Sequence, residues 1–456
     1  MSATATAADN DTAPEPVTFG QALLYWFKLG FISFGGPAGQ IALMHEELVV
    51  RRRWISEQRF LHALNYCMLL PGPEAQQLAT YIGWLMHRSW GGIVAGVLFV
   101  LPSLFILIGL SWVYMAFGTL PAVAGVFHGI KPAVTAIVVS AAVRIGSRAL
   151  TNHWLQAIAV ISFVALFAAE VPFPFIIIGA SLIGYIGGRR APGKFSSAGA
   201  HGHVGRHVGA ALIDDHTPTP PHARFTWTRF WRVVAAFFGM WAIGLAGLTA
   251  LCGRDAVLSQ MAWFFTKAAL LTFGGAYAVL PYVYQGAVGE FHWLTGPQMI
   301  DGLALGETTP GPLIMVVSFV GFVGGWAKAI FGPASLFLSG AVAAAVVTFF
   351  TFLPSFFFIL LGGPFIESTH GNLKFTAPLA GITAAVVGVI ANLAVFFAYH
   401  VLWPAGLSGR FDGPAALIGL AAAIALIRYK IGVIAVIVVS GLCGLALTLA
   451  PHFVAS

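Results

Sequence analysis

Two lysines and two helix-breaking motifs occur twice in this 456-residue sequence, at the same spacing each time. The first copy contains Lys28, Phe34-Gly35-Gly36 and Pro71-Gly72-Pro73, and the second contains Lys267, Phe273-Gly274-Gly275 and Pro310-Gly311-Pro312. The copies are 239 residues apart (28 to 267, 34 to 273, 71 to 310), so this stretch aligns without a gap. A lysine beside irregular backbone in apolar sequence favours anion binding, because the ammonium group and free N–H groups both attract negative charge.

The Gly-Gly motifs predict helix breaks inside the membrane. Two adjacent glycines lower helix propensity, and Pro37 suits the first turn of a new helix. Irregular backbone at this depth survives only where protein buries it or where it lines a cavity. Duplication beside a lysine favours a substrate site over the alternative, close helix packing at small residues.

Lys28 and Lys267 precede the Gly-Gly motifs by six to eight residues. A lysine at bilayer depth is costly and usually faces a partner or a water-filled cavity, so two related lysines are predicted to flank one dianion. The alternative is that each side chain reaches out to the membrane interface.

The Pro-Gly-Pro motifs predict a second pair of breaks, each with one carboxylate nearby. Glu74 follows the first motif directly, and Glu307 precedes the second by three residues. Either carboxylate is a candidate acceptor for a coupled proton, and the alternative role is a helix cap or a lysine partner. Gln76, with its neighbour Gln77, supplies neutral hydrogen-bond donors for an oxyanion.

No complete enzymatic or metal-binding motif appears. The sequence His45-Glu46-Glu47-Leu48-Val49 lacks the second histidine of a zinc-protease helix, because position 49 is valine. Five histidines lie in a polar stretch that fits a solvated linker better than a metal site: His201, His203, His207, His216 and His222. The prediction is a protein that is not an enzyme and holds neither metal nor cofactor.

The composition predicts an all-α polytopic membrane protein. Hydrophobic residues make up 58% of the chain and charged residues 9%, and apolar runs such as 92–117 are long enough to span a bilayer as helices. The net charge of +7 fits basic loops on one side of the membrane, and no basic stripe with exposed aromatics indicates nucleic acid. The expected partners are therefore the lipid bilayer and a small anion, and a homodimer is one option for the assembly.

About 12–13 hydrophobic segments are predicted, six in each half and one between, with broken or re-entrant helices at the glycine and proline motifs. The segments lie near 18–44, 60–86, 90–117, 122–143, 152–169, 171–188, 230–252, 257–286, 299–325, 329–362, 376–398, 413–427 and 431–450. The predicted domains are a disordered tail (1–16), a first repeat (17–188), a flexible cytoplasmic linker (189–229), a connecting helix (230–252) and a second repeat (253–456). The linker stretch 193–221 has no apolar period and is expected not to pack.

Loop charges indicate that the two repeats are inverted. The loop after the first segment carries Arg51, Arg52, Arg53 and Arg59, whereas the equivalent stretch 290–298 carries no lysine or arginine. Equivalent loops of opposite charge character belong on opposite sides of the membrane. If the Pro-Gly-Pro segments are re-entrant, the basic loops and the linker share the cytoplasmic side. A non-inverted count with a spanning first segment fits the total charge nearly as well.

The combined motifs resemble the chromate ion transporter family in its long, two-domain form. The resemblance rests on Phe34-Gly35-Gly36-Pro37, Arg52-Arg53-Trp54, Leu70 to Ala79, Thr272 to Gly275 and Pro310 to Pro312, and it covers nearly the whole chain outside the tail and linker. It implies a multi-pass protein of the bacterial inner membrane that exports chromate with an ion gradient and so gives chromate resistance.

The resemblance also supports site residues position by position: Phe34, Gly35, Gly36, Pro37, Pro71, Gly72, Pro73, Phe273, Gly274, Gly275, Pro310, Gly311 and Pro312. The second copy departs from the first at Ala276 and Leu313, which replace Pro37 and Glu74, so the halves need not contribute equally. Only the resemblance selects chromate, because sulfate has the same shape and charge. The main alternative is a transporter or exchanger of sulfate or another oxyanion, followed by a passive anion channel or a membrane-embedded enzyme.

Overall fold

The chain folds as a bundle of α-helices that pack around two apolar cores. The computed structural model describes residues 14–34, 36–195, 210–214, 217–218, 220–273, 275–369 and 376–454. Its helices are α1 (Phe19–Ile32), α2 (Gly36–His45), α3 (Glu57–Leu69), α4 (Glu74–Phe117), α5 (Pro121–Ala149), α6 (His153–Ala168), α7 (Phe173–Arg190), α8 (Trp227–Cys252), α9 (Val257–Leu270), α10 (Ala276–Tyr284), α11 (Gly296–Thr308), α12 (Val316–Ala327), α13 (Leu336–Thr369), α14 (Thr376–Leu402), α15 (Gly413–Ile427) and α16 (Val433–Val454).

The sequence repeat is a structural repeat, down to local distortions of the backbone. A π-helical turn follows α2 at Glu46–Arg51 and follows α10 at Gln285–Glu290. The residues after these turns, Arg53 and His292, both have positive φ, at 51° and 49°. The next residues, Trp54 and Trp293, are both buried. The all-α, two-half architecture predicted from sequence is therefore confirmed.

Each half begins with two re-entrant helical hairpins. In the first half the Gly-Gly break turns the chain back, so that the Trp54 ring lies 5.3 Å from the Tyr25 ring of α1. The Pro-Gly-Pro break turns it back again between α3 and α4, where the Tyr66 and Tyr81 rings lie 6.0 Å apart. Non-helical dihedrals at His87 and Arg88 then divide α4 into a short arm (74–87) and a long arm (88–117).

The second half repeats both hairpins. Phe264 of α9 stacks on Tyr282 of α10 with ring centroids 4.8 Å apart. Gly302 of α11 packs against Phe319 of α12. The short arm of α4 corresponds to α12 and the long arm to α13, so the four helices after each pair of hairpins also match.

Among the described residues, five helices are long and apolar enough to cross a membrane: Glu74–Phe117, Pro121–Ala149, Trp227–Cys252, Pro333–Glu367 and Ala377–Leu402. Shorter apolar helices accompany them. The halves interlock, because α5 of the first half packs against α15 and α16 of the second, while α14 packs against α6 and α7. Close approach at small residues permits this packing, as where Gly129 meets Gly444.

The halves are inverted, as the loop charges predicted. The loop at 51–56 and the linker lie at one end of the bundle, here named the basic face, since Ser56 N–H donates to Ile213 O at 3.0 Å. The connecting helix α8 starts at this face, where Arg229 donates to the Ser89 hydroxyl at 3.3 Å. The second-half π turn lies at the other end, the opposite face, beside the start of α7: Phe173 N–H donates to Gln285 Oε1 at 3.3 Å.

The expectation that the linker would not pack is wrong for its C-terminal part. Leu212 and Ile213 donate backbone hydrogen bonds to Arg53 O and Trp54 O at 2.9 and 3.1 Å. His222 lies 3.1 Å from Trp84 O, and burial there lowers the pKa of its imidazole because the charged form loses hydration. Leu212 and Ile213 are apolar residues in a polar stretch, and their side chains cover the first-half loop. The histidines at 201, 203, 207 and 216 lie outside the described residues.

Candidate functional site

The four breaks meet at the centre of the bundle and bond reciprocally across the two halves. Gly72 N–H of the first half donates to Thr272 O of the second at 2.7 Å. Gly311 N–H of the second half donates to Ser33 O of the first at 2.8 Å. These bonds exchange places under the 239-residue offset (72 to 311, 33 to 272). The proline-containing loop of each half is therefore held by the end of the first helix of the other half.

Glycine is required at the middle of both Pro-Gly-Pro loops. Gly72 and Gly311 have φ values of 131° and 103°, which residues with a Cβ rarely adopt. A Cβ at Gly72 would also lie 2.5 Å from Ser355 Oγ, and one at Gly311 would lie 2.7 Å from Ser103 Cβ. The flanking residues Pro71, Pro73, Pro310 and Pro312 are buried with them.

Around these loops lies a set of buried polar atoms that have no hydrogen-bond partner in the described part of the chain. The hydroxyls of Ser103 and Ser355 belong to this set. So do the amide oxygens of three glutamines, Gln40, Gln76 and Gln77. Buried polar groups are normally paired, so a cluster of unpaired ones at a break indicates a place for a polar ligand.

The two predicted carboxylates both lie at this centre. A Cβ on Gly275 would lie 3.9 Å from Glu74 Oε1, which brings the first-half carboxylate to the second-half Gly-Gly break. Glu307 is buried and accepts a hydrogen bond from the Tyr277 hydroxyl. The Arg144 guanidinium of α5 interacts electrostatically with Glu307, although Arg144 itself is exposed.

The two predicted lysines are not brought to the centre. Lys28 is exposed on the face of α1 that carries the exposed side chains of Leu24 and Phe31. Lys267 is likewise exposed, and its ammonium group lies 5.9 Å from the ring centroid of Trp263. This placement corrects the expectation that the lysines flank the bound ion, since both point outward as interfacial side chains do.

The remaining predicted residues lie at the two Gly-Gly breaks and differ in how deeply they are buried. Phe34 is 38% exposed, and Gly36 and Pro37 are partly exposed at the start of α2. Phe273 is partly buried and packs against the larger apolar core. Gly35 and Gly274 lie outside the described residues.

Sequence reasoning missed three of the central groups. Ser103 and Ser355 end the repeated triplets Leu101-Pro102-Ser103 and Leu353-Pro354-Ser355, 252 residues apart. That repeat was visible in the sequence, but nothing in it showed that each serine faces the loop of the other half. Arg144 could not be identified from the sequence, because its interaction with Glu307 depends on how α5 packs.

Comparisons with known proteins agree with this architecture. The sequence model described as chromate transporter matches residues 20–185 and 259–445, the two repeats without the linker. A chromate transport protein of Pseudomonas aeruginosa is 32% identical over 455 residues, which cover 96% of this chain and 95% of that protein. One of Cupriavidus metallidurans is 29% identical over 431 residues, 94% and 92% of the two chains.

A shorter relative matches a single repeat. An uncharacterised transporter of Bacillus subtilis is 30% identical over 162 residues, which cover 35% of this chain and 91% of that protein. No solved structure gives a significant match.

Proposed function

The chain belongs to the chromate transporter family, and we propose that it carries chromate across the membrane as a secondary transporter whose substrate binds where the four breaks meet. The observation that carries this proposal is the pair of reciprocal hydrogen bonds, Gly72 to Thr272 and Gly311 to Ser33. They bring irregular backbone from both inverted halves to one place at mid-depth. Inverted repeats that meet at broken helices are the usual setting of a substrate site in such transporters.

The centre offers the groups that a tetrahedral dianion needs. A dianion that enters a low-dielectric interior loses its hydration, and an unpaired charge there costs many kcal/mol. Four half-helices start at the breaks, namely α2, α4, α10 and α12, and each directs the positive end of its dipole and its free N–H groups inward. The unpaired hydroxyls of Ser103 and Ser355 add two donors.

The centre also contains two acidic groups, Glu74 and Glu307, which can gain or lose a proton. Arg144 interacts electrostatically with Glu307. Glu74 and Glu307 would repel a dianion in their ionised forms. We therefore assign them as the groups that are protonated or neutralised while chromate is bound, which links substrate occupancy to proton binding.

The orientation of the chain in the membrane is inferred from the distribution of charge. In the described part of the chain, the basic face carries most of the lysines and arginines, whereas the loops of the opposite face carry only Arg254, Lys328 and Arg410. By the positive-inside rule the basic face is cytoplasmic. We assign the chain to the inner membrane of a bacterium, with chromate exported from the basic face to the opposite face.

The test is flux of radiolabelled chromate in proteoliposomes that contain the purified full chain, with and without a pH gradient and with excess sulfate as competitor. Ser103→Ala and Ser355→Ala should each lower chromate flux about tenfold, the cost of one hydrogen bond to a charged group. Ser111→Ala is the matched control, since this hydroxyl is also buried and unpaired in the same helix but lies two turns further along α4. Normal flux in both serine variants would overturn the proposed site, and full competition by sulfate would change the substrate to sulfate.

A further inference from the structure

A second buried polar cluster joins the two halves near the opposite face. Lys131 Nζ of α5 lies 3.4 Å from Asp301 Oδ2 of α11. The Tyr114 hydroxyl of α4 donates to the same oxygen at 2.9 Å. Asp301 is only 2% exposed. The carboxylate therefore ties the second-half hairpin to two first-half helices.

The pairing of Asp301 is incomplete. Both partners contact Oδ2, and Oδ1 is buried without any hydrogen-bond partner in the described residues. A bare carboxylate oxygen in the interior is costly, and removing its charge relieves that cost. Oδ1 is thus the place where a proton adds most favourably in this cluster.

Water can reach the cluster from the opposite face. A cavity of about 120 Å³ lies between α5, α14 and the start of α15, and it is lined by Lys131, His128, His400 and Asp412. That volume holds several water molecules. His128 Nε2 lies 3.5 Å from Asp412 Oδ2. Lys131 and Tyr114 contact Asp301 directly, and His128, His400 and Asp412 are the other titratable groups that line the same cavity as Lys131.

A matching cluster at the basic face lacks these properties. Glu367 of α13 accepts from the Tyr81 hydroxyl at 2.5 Å through Oε1. Its other oxygen, Oε2, lies 3.4 Å from Arg59 Nη1 of α3. Both oxygens are therefore engaged, and the cation is an arginine, which stays charged at any pH that proteins experience. This cluster also joins the halves, but it has no oxygen free for a proton.

We propose that Asp301 is the proton-binding site that opens and closes the opposite face in response to a pH gradient, a role distinct from substrate binding and from the neutralisation of Glu74 and Glu307 while chromate is bound. Protonation at Oδ1 neutralises the carboxylate and breaks its ion pair with Lys131. Helix α11 is then released from α5, and the opposite face can open. Deprotonation restores the pair and closes that face. The proposal rests on the proposed chromate transport, because it assigns the driving ion for that same movement.

The experiment separates coupling from translocation in proteoliposomes that contain the full chain. Two chromate fluxes are measured: exchange at equal pH on both sides, and accumulation driven by a gradient of one pH unit in either direction. One coupled proton supports about tenfold accumulation per pH unit. Asp301→Asn should keep exchange within about twofold of the parent, because without the ion pair the opposite face opens and closes without a proton. It should lose accumulation, because the amide cannot take up a proton.

Two further variants make the result specific. Asp301→Glu should regain part of the accumulation, since it restores a titratable group at the same position. Glu367→Gln, the matched buried carboxylate at the basic face, should keep gradient-driven accumulation. Normal accumulation in Asp301→Asn, or equal loss of accumulation in Glu367→Gln, would overturn the proposal. If the parent protein exchanges no chromate, the proposed substrate is overturned. If the parent exchanges chromate and the Asp301→Asn variant still accumulates it, only the coupling role is overturned.

Discussion

The first hairpins of the two halves share a sequence pattern but differ in packing. In α10 seven of nine residues are buried, whereas in α2 only Gln40 and Met44 of ten are buried. Helix α10 packs against α14 and α7. In the described part of the chain, α2 makes no comparable contact with α5, its counterpart of α14.

Two equivalent positions explain the difference. Tyr284 at the end of α10 packs against Phe396 of α14 with ring centroids 4.3 Å apart. The equivalent residues of the first half are His45 and Arg144, by the offsets 239 and 252. His45 instead lies 2.5 Å from Glu57 within its own half. Two basic side chains give no apolar contact to hold α2 on α5, so α2 does not pack against that helix in the described residues.

We infer from this difference in packing that the two halves occupy different states at any one time. A transporter built from inverted repeats exchanges the environments of its halves as it opens to one face and then the other. In the part of the chain that the structure describes, helix α2 is not packed against α5 of its own half, whereas α10 is docked on α14, although α1 packs against α4. The proposed transport cycle requires the two halves to differ in packing, so substitutions that make them alike should stop transport.

The largest effect is expected where the halves are most alike. Gly72→Val and Gly311→Val should each abolish chromate flux, because a side chain there combines a strained φ with a contact below 3 Å to the other half. Gly109→Val is the control, since a Cβ at Gly109 meets nothing within 4 Å. Flux in proteoliposomes is the measurement, with the amount of folded protein checked by gel filtration. Normal flux in either variant would show that the reciprocal contact is dispensable.

A large effect is also expected from making the first half pack like the second. The double variant His45→Tyr/Arg144→Phe should dock α2 on α5 and lower chromate flux at least about tenfold, because an added aromatic contact is worth about 1 kcal/mol beyond the area it buries and a cation is lost from the centre. Labelling of a cysteine placed at the exposed position Ala38 should slow as α2 becomes buried. Arg148→Phe, at an exposed position one turn further along α5, is the control. Unchanged labelling would contradict the explanation from these two residues.

A small effect is expected from the two lysines. Lys28→Gln and Lys267→Gln should each lower chromate flux by less than about twofold, since both side chains are exposed on outer faces and act there as interfacial anchors. The measurement is initial flux at several chromate concentrations. A strong rise in the apparent Michaelis constant in both variants would restore the lysines as substrate ligands.

The smallest effect on flux concerns the linker, which covers the first-half loop at 53–56. Ile213→Asp should detach this segment and speed its proteolysis while reducing flux only modestly, because a charge cannot stay in the buried bridge to Ile55. Gly193→Asp is the control, as a Cβ there contacts nothing. Replacing residues 196–209 by a Gly/Ser chain should leave both properties unchanged. Equal protease sensitivity of the two Asp variants would show that the contact at Ile213 is weak.

Much of the architecture could be predicted from sequence, because it depends on local chemistry and on repetition. Apolar runs of sufficient length define membrane helices, paired glycines and prolines interrupt them, and loop charge sets their orientation. The offset of 239 residues shows from the sequence alone that Gly72 is equivalent to Gly311 and that Trp54 is equivalent to Trp293. The inverted arrangement followed from the contrast between 51–59 and 290–298.

The composition of the centre could not be predicted in the same way, since contacts between distant residues depend on how the helices pack. The sequence by itself determined that breaks exist, where they lie and that they come in pairs. Only the tertiary structure decided that Ser33 accepts from Gly311, that Ser355 lies against Gly72 and that Lys28 points outward. The physical reason is that a break is a local property of the backbone, whereas the direction of a side chain depends on the rotation of its helix against neighbours that are distant in the sequence.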